Sequence, residues 1–437
     1  MIKIIHTGNE LLDFIATFIY FILVSYPILG SFAWFIGVLC YSFLFKYKHI
    51  DWAEIPSEIE PFITIMVTAH NEEVVIEETI DYLMTKINYD NYDNYEVLVT
   101  DDGSTDRTPE ILARLRKKYL KLRVIRIDKN KGKAHAFDVG MAFAKGQLIL
   151  SNDADTVPEP DALSRYVNYF IRPGGRNISA VTANMDVKNR TSLLGKSQTV
   201  EFSSIVGIIK RTQAAVFGGL YAYSGANTMY RKDALIDVGG FRQDRATEDI
   251  SIAWDHQLNG WISVFAPSII FFMEVPVSLR MLYRQRKRWA KGGTEVWLTN
   301  FKKVLFHPFD NLGRTMMFID QTFSILWSLF FCLSFVTFIF FMGTYLYRGD
   351  LERVYETLTI SFIFICFEMI SGFFQLGAPL IVDDQGRKLK YLLFAPLYML
   401  LFWMVNAITI MSTFIPAVKT ILGYGSGTWK SPERKSE

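Results

Sequence analysis

Two carboxylates one residue apart, Asp153 and Asp155, end the run Leu148-Ile-Leu-Ser-Asn-Asp-Ala-Asp-Thr156. An apolar, strand-like stretch delivers them into a loop that closes at Pro158. A hard divalent cation bound through one or two carboxylates completes its shell with water and substrate phosphates, so this spacing at a strand end suits a magnesium-type ion and a diphosphate. Asp-x-Asp is equally at home in a solvated turn, and the pair alone does not choose between the two readings.

The elements that must position such a pair are legible upstream. Phe62–Thr68 is a short β-branched run of the kind buried on both faces of a sheet, and it leads into Ala69-His-Asn-Glu72. Tyr95–Thr100 leads into Asp101-Asp-Gly-Ser-Thr-Asp106, Leu122–Ile127 into Asp128-Lys-Asn-Lys-Gly-Lys-Ala134, and Gln147–Asn152 into the Asp-x-Asp loop. Helical patterns separate them at Glu73–Lys86, Pro109–Lys118 and His135–Ala144. Strands alternating with helices predict an α/β domain with a mostly parallel sheet, and all four polar loops then follow carboxyl ends of strands, where open α/β sheets bind ligands. No G-x-G-x-x-G follows the first strand and no Walker A motif is present, so neither nucleotide fingerprint applies.

Beyond the Asp-x-Asp loop, Ile178–Asn184 reads as an added strand and Ser192–Arg211 as a helix. Thr247-Glu-Asp249 opens a helix over Asp249–Leu258, with Thr247 as its N-cap. A helix N-terminus lowers the pKa of Asp249, whereas burial and Glu248 raise it, and the sequence leaves that balance open. Gln285, Arg288 and Trp289 share one helical face. Val275–Thr294 carries Arg280, Arg284, Arg286, Lys287, Arg288 and Lys291 and no acid, the pattern of an amphipathic helix on an anionic lipid surface.

Ala69-His-Asn-Glu72, Asp101-Asp-Gly-Ser104, Gly132-Lys-Ala134, Asp153-Ala-Asp155, Thr247-Glu-Asp249 and Gln285-Arg-Lys-Arg-Trp289 stand in the order seen in processive, membrane-embedded family 2 glycosyltransferases, which the chain resembles over residues 62 to 293. Within that family it is similar to bacterial poly-β-1,6-N-acetylglucosamine synthases through Gly195-Lys-Ser-Gln-Thr-Val-Glu201, Ile209-Lys-Arg-Thr-Gln213, Arg288-Trp-Ala-Lys-Gly-Gly293 and Thr428-Trp-Lys-Ser-Pro-Glu-Arg434. It departs from those relatives at Thr182-Ala-Asn184 and Pro276-Val-Ser-Leu279.

The resemblance implies a GT-A nucleotide-sugar fold, a UDP-sugar donor and a divalent cation, Mg2+ or Mn2+. It places Asn71 and Glu72 around the nucleoside, and it gives Asp102 the uracil imide, although a turn-stabilising aspartate would occupy the same position. Lys133 goes to the diphosphate, Asp155 to the metal and Asp153 to the ribose or to support of the metal ligand. Ser224–Arg231 becomes the acceptor-side segment and Asp249 the general base. Gln285 and Arg288 face the diphosphate, and Trp289 faces the acceptor sugar.

Four apolar blocks surround this domain: Leu11–Phe45, and roughly 318–345, 358–382 and 391–418. Each reaches the roughly 20 residues that cross a bilayer, so the chain reads as an integral membrane protein with a cytoplasmic middle, flanked by Lys46, Lys48, Arg387, Lys388 and Lys390. The expected organisation is an anchor of one or two helices at 1–48, a catalytic domain at 51–275, interfacial helices at 276–315, transmembrane helices at 316–420 and a polar tail at 421–437. Three C-terminal spans would place Lys419, Lys430, Arg434 and Lys435 outside, against the positive-inside tendency, unless one block is re-entrant or lies at the interface.

Other classes fall away. Cys40, Cys332 and Cys366 sit in apolar blocks without C-x-x-C spacing, the six histidines lack metal-ligand spacing, and a net charge of +2 gives no basis for nucleic acid. The expected function is inverting, processive transfer of N-acetylglucosamine from UDP-GlcNAc to a growing β-linked polysaccharide, coupled to export across the lipid bilayer. The alternatives are another β-glycan, hyaluronan-like or cellulose-like, a non-processive lipid-directed transferase, or a nucleotide-binding sensor. Such synthases also accommodate a small membrane accessory subunit, for which the chain carries no signal of its own.

Overall fold

The computed structural model describes residues 9–41, 43, 61–89, 94–203, 207–382 and 387–424. Lys46, Lys48 and the Thr428–Arg434 motif lie outside them. The N-terminal apolar block is one helix, α1 (Glu10–Cys40), capped by Asn9, whose side-chain oxygen accepts from the Leu11 and Leu12 amides at 3.0 and 3.3 Å. Pro27 lies inside α1 and cannot donate to the carbonyl of Leu23, which instead accepts from the Trp327 indole at 3.1 Å. That exchange lets the helix continue where the sequence allowed a break.

The alternating elements follow as expected: β1 (Ile63–Ala69), α2 (Ile76–Thr85), β2 (Tyr95–Asp102), α3 (Thr108–Lys118), β3 (Leu122–Ile127), α4 (Lys133–Phe143) and β4 (Leu148–Asp153). Then come β5 (Val157–Pro158), α5 (Ala162–Ile171), β6 (Ile178–Val187), α6 (Leu193–Glu201), α7 (Gly207–Thr212), β7 (Asn227–Arg231), α8 (Lys232–Asp237), α9 (Glu248–Leu258) and β8 (Ile262–Met273). The expected helix over Ser192–Arg211 is thus seen as α6 and α7.

The strands form one sheet in the order β3-β2-β1-β4-β7-β6-β8-β5. The first four are mutually parallel, as predicted; β7 is antiparallel to both neighbours, so the whole sheet is mixed. Strand alternation splits the core into two layers. Ile63, Ile65 and Val67 pack on one face with Ile80, Leu112 and Leu163, while Met66, Leu98 and Ile149 pack on the other with Phe137, Tyr230 and Ile252. Burial on both faces is what the continuous β-branched runs encode.

Four long helices complete the chain: α10 (Leu279–Phe306), α11 (Leu312–Arg348), α12 (Leu351–Val382) and α13 (Ala395–Ile421). α1, α11, α12 and the segment Leu389–Ile421 are long and apolar enough to cross a membrane. Lys388, expected as a cytoplasmic flank of a span, is buried, with its Nζ 3.2 Å from Asp186 at the end of β6. The residue at the start of the Leu389–Phe394 turn is thereby held against the sheet domain.

Candidate active site

The direction of β7 builds the site. β4 pairs parallel with β1 on one side and antiparallel with β7 on the other, so the start of β7 meets the end of β4, with Asn152 opposite Asn227. Ser224-Gly-Ala226, immediately before β7, therefore faces the Asp-x-Asp turn, and the loops after β1, β2 and β3 open on the same edge.

The Asp-x-Asp turn is fixed by its neighbours. The Asn152 amide donates to the carbonyls of Asp153 and Thr156 at 2.8 Å each, the Thr156 amide donates to the Asp153 carbonyl at 3.2 Å, and Thr79 donates to the Ala154 carbonyl at 2.6 Å. The Asp155 carboxylate accepts from Thr156 Oγ1 at 3.2 Å. Among the described residues no group of three or more His, Cys, Asp and Glu is placed to hold a metal. Asp155, with Asp153 beside it, would offer a Mg2+ or Mn2+ ion only one or two ligands, the rest of its shell falling to a diphosphate and water.

Lys133, at the first position of α4, reaches across this edge. Its Nζ lies 2.5 Å from Asp153 Oδ1, 3.3 Å from Glu248 Oε1 and 3.2 Å from the Gly225 carbonyl. Burial opposes its charge, but the Asp153 and Glu248 carboxylates outweigh burial and raise its pKa above the usual lysine value. The backbone at Gly225 also donates to Asp249 Oδ2 at 3.1 Å. A Cβ at this position would stand 2.9 Å from Lys133 Nζ and 3.1 Å from Glu248 Oε1, so a side chain here would push the lysine and the glutamate back.

Asp249 sits in the first turn of α9, and the balance left open by the sequence is resolved here. Burial first and the Glu248 charge second push its pKa up to about 6, against the cations of Lys133 and Arg288 and the Gly225 hydrogen bond. A carboxylate in that range suits proton abstraction near neutral pH. Thr247 occupies the N-cap position, but its side chain makes no capping bond and its hydroxyl is turned against Gly292 of α10. The expected Thr247 cap is therefore replaced by helix-to-helix packing.

In the loops after β1, β2 and β3, both oxygens of Asp102 are engaged by the β3–α4 loop: the amides of Lys131 and Gly132 donate at 3.1 and 2.7 Å. The loop-stabilising reading of Asp102 is thus realised by these two bonds. Asn71 adopts a left-handed backbone (φ 56°), its Oδ1 accepts from the Thr105 amide at 2.8 Å and its own amide donates to Ser104 at 2.9 Å. Glu72 is buried, and its amide donates to Thr108 Oγ1 at 2.9 Å. These bonds clamp the loops after β1 and β2 to each other.

The Gln285–Trp289 motif lies on α10 and divides into two tasks. Arg288 is close enough to Asp249 to lower its pKa, whereas Arg286 turns away to Glu201 at 2.7 Å and covers the Trp289 ring at 4.2 Å from its centroid. Trp289 packs beside Met185, Val187, Phe202, Ala226 and Val275, next to the Gly225 loop, and Gln285 is partly buried.

Three contributors escaped sequence reasoning. Glu248, read as a charge acting on Asp249 and not as a partner of the lysine, meets Lys133; Ser151 donates to the Gly225 carbonyl at 2.5 Å; and buried Lys210 lies 5.9 Å over the Phe265 ring, with burial lowering its pKa to about 8 against the charge of Asp249. Two adjacent acids at a helix start, and a lysine inside an apolar helical run, were the available signals.

The chain matches the glycosyl transferase family 2 model over residues 64–239. It is 30% identical over 421 residues to a poly-beta-1,6-N-acetyl-D-glucosamine synthase of Staphylococcus epidermidis, covering 94% of this chain and 97% of the relative. A synthase of the same description from Staphylococcus aureus (strain COL) is 30% identical over 431 residues, again covering 94% and 97%. The fold is similar to that of a mannosyltransferase from Pyrobaculum calidifontis, solved in complex with GDP-Man and Mn2+, with a TM-score of 0.56 at 18% identity over 87% of this chain and 99% of that one. The GT-A-like sheet, the acidic edge it presents and the near full-length relatives together show that the chain is a glycosyltransferase and belongs to glycosyltransferase family 2.

Proposed function

We propose that the protein builds a β-1,6-linked N-acetylglucosamine polymer processively from UDP-GlcNAc and passes it across the membrane in which it sits. The observation that carries the reaction is the position of Lys133 between Asp153 and Glu248, with Asp249 adjacent, because it joins a diphosphate-binding edge to a partly buried base. The choice of sugar rests on the relatives, which carry the name of such a synthase and align over 94% of this chain.

In this reading Asp249 takes the proton from the acceptor hydroxyl as its oxygen attacks the anomeric carbon of the α-linked donor from the face opposite the diphosphate. The C1–O bond to the diphosphate breaks, UDP leaves, and the new linkage is β. Lys133 and Arg288 offset the charge that collects on the departing diphosphate. Asp155, supported by Asp153, would hold the divalent cation, which when bound adds further positive charge there. Asn71, Glu72 and Asp102 form the nucleoside end, Gln285 assists at the diphosphate, and Trp289 borders the acceptor beside Ala226. The catalytic domain faces the cytoplasm, and the apolar helices next to it carry the product outward.

The test is incubation of membranes containing the protein with each radiolabelled UDP-sugar separately, followed by digestion with a β-1,6-specific hydrolase. UDP-GlcNAc alone should give long chains that the hydrolase degrades. Absence of polymer from UDP-GlcNAc, or chains from another UDP-sugar only, overturns the assignment.

A further inference from the structure

The four apolar helices are not equivalent. α1, α11 and α12 form one bundle with contacts at successive depths: Phe18 meets Phe330 at 6.4 Å between ring centroids, Tyr20 meets Phe364 at 5.3 Å, and Ser31 donates to Gln375 at 3.0 Å. α13 touches α11 and α12 as well, but its main partner is α10. Its first turns share a cluster with Leu282 of α10 and with Leu194 and Val200 of α6 through Ala395, Tyr398, Met399 and Phe402, and the Arg286 guanidinium lies 5.8 Å over the Phe402 ring. The two helices stay together from there, making the most extensive helix–helix contact among the described residues. The buried stripe of α13 runs on through Ala407, Ile410, Thr413, Ala417 and Thr420, to the end of the helix.

α10 is itself fixed along the catalytic domain. Arg286 pairs with Glu201 at 2.7 Å, Tyr221 donates to the Gly293 carbonyl at 3.3 Å, the Ala246 amide donates to Glu295 at 2.8 Å, and Arg245 donates to Thr299 at 3.2 Å. A helix running beside α10 throughout has both ends at the level of that domain. A spanning helix would carry one end about 30 Å away.

The other face of α13 presents Leu397, Leu400, Met404, Ile408, Met411 and Ile415, all exposed and on one stripe. It adjoins the exposed apolar surfaces of α11 and α12, so its natural cover is the acyl boundary of the same bilayer. Charge agrees with this placement. Lys419 lies in the last turn of α13, and Lys430, Arg434 and Lys435 follow in the sequence. Basic residues beside the membrane favour the cytoplasmic face.

We propose that α13 lies along the membrane surface beside α10, that the chain crosses the bilayer three times through α1, α11 and α12, and that the residues after α13 share the side of the catalytic domain.

Single-cysteine labelling of the full chain in cells decides this. With Cys40, Cys332 and Cys366 replaced by alanine, Lys117→Cys reports the catalytic domain, Glu352→Cys the α11–α12 turn and Ser436→Cys the tail, with sugar transfer confirming that each variant folds. A membrane-impermeant maleimide should label Glu352→Cys in intact cells, and label Lys117→Cys and Ser436→Cys only after permeabilisation. Labelling of Ser436→Cys in intact cells shows that α13 spans and overturns the proposal, as does protection of Glu352→Cys. Should the tail thiol react poorly, a C-terminal protease-cleavable tag tested in right-side-out and inside-out vesicles gives the same decision: cleavage in inside-out vesicles only is expected, and cleavage in right-side-out vesicles overturns it.

Discussion

Lys133 Nζ lies 3.3 Å from Glu248 Oε1, and this contact ties the strand edge that would hold the diphosphate to the helix that carries the base. The same nitrogen is 2.5 Å from Asp153, so a single buried cation balances acids from β4 and α9. Lys133→Met removes that balance and, in the proposed reaction, a group that would stabilise the leaving diphosphate. A fall in kcat/KM of about 10²–10³-fold is expected, the scale of losing one positioned electrostatic contact. Lys133→Arg should recover little, because a branched guanidinium does not fit a slot bounded by Gly225. UDP release measured in membranes checks both variants.

The raised pKa of Asp249 sets the acid limb of the pH profile. The base works only when ionised, so kcat/KM should drop roughly tenfold per pH unit below about 6. The sign for stability is opposite. A folded-state pKa raised from 3.8 to about 6 contributes stability that is present at low pH and is lost as pH rises through about 6. Asp249→Asn should therefore be more stable than the parent at pH 8, by on the order of 1–3 kcal/mol, and this advantage should vanish near pH 4. Thermal unfolding in detergent across that range tests the prediction.

Gly225→Ala places a methyl group 2.9 Å from Lys133 Nζ and 3.1 Å from Glu248 Oε1. The lysine must retreat while the sheet beneath is untouched. Transfer should fall at least about tenfold, with a thermal midpoint within a few degrees of the parent, since the effect is one of local geometry. Loss of folding together with loss of activity would contradict this.

Arg286 and Arg288 sit two residues apart and should fail differently. Arg286 neutralises Glu201, a buried acid whose pKa burial already raises against the pull of that arginine. Arg286→Met strands this acid and should cost about 3–5 kcal/mol of stability, most of which returns in the double variant with Glu201→Gln. Arg288→Met should leave stability near the parent and instead reduce kcat/KM. A thermal-shift series on the four proteins separates the two roles.

Much of this was legible from local chemistry. The parallel strands announced themselves because burial on both faces demands uninterrupted apolar runs, and Asp153 and Asp155 stood where such a strand must end and Asp249 where a helix must begin. What the sequence withheld depends on partners distant along the chain. Asn227–Arg231 is only five residues long, and nothing local to it encodes pairing antiparallel to β4, yet that direction brings Gly225 to the acids. Lys388 resembles any membrane-flanking lysine until Asp186 is placed beneath it. Thr247 has the residue type of a cap, but α10 approaches closely enough to claim its side chain. Continuity of α1 through Pro27 likewise required Trp327, some three hundred residues away.

The central claim, that Asp249 is the base for sugar polymerisation at a site whose donor half is built on Asp153 and Lys133, is tested most directly by Asp249→Asn in membranes supplied with radiolabelled UDP-GlcNAc, with UDP binding measured in parallel. Loss of at least about 10³-fold in polymer formation, with UDP affinity within a fewfold of the parent, is the predicted result. Polymer formation at the parent rate by Asp249→Asn would contradict the account.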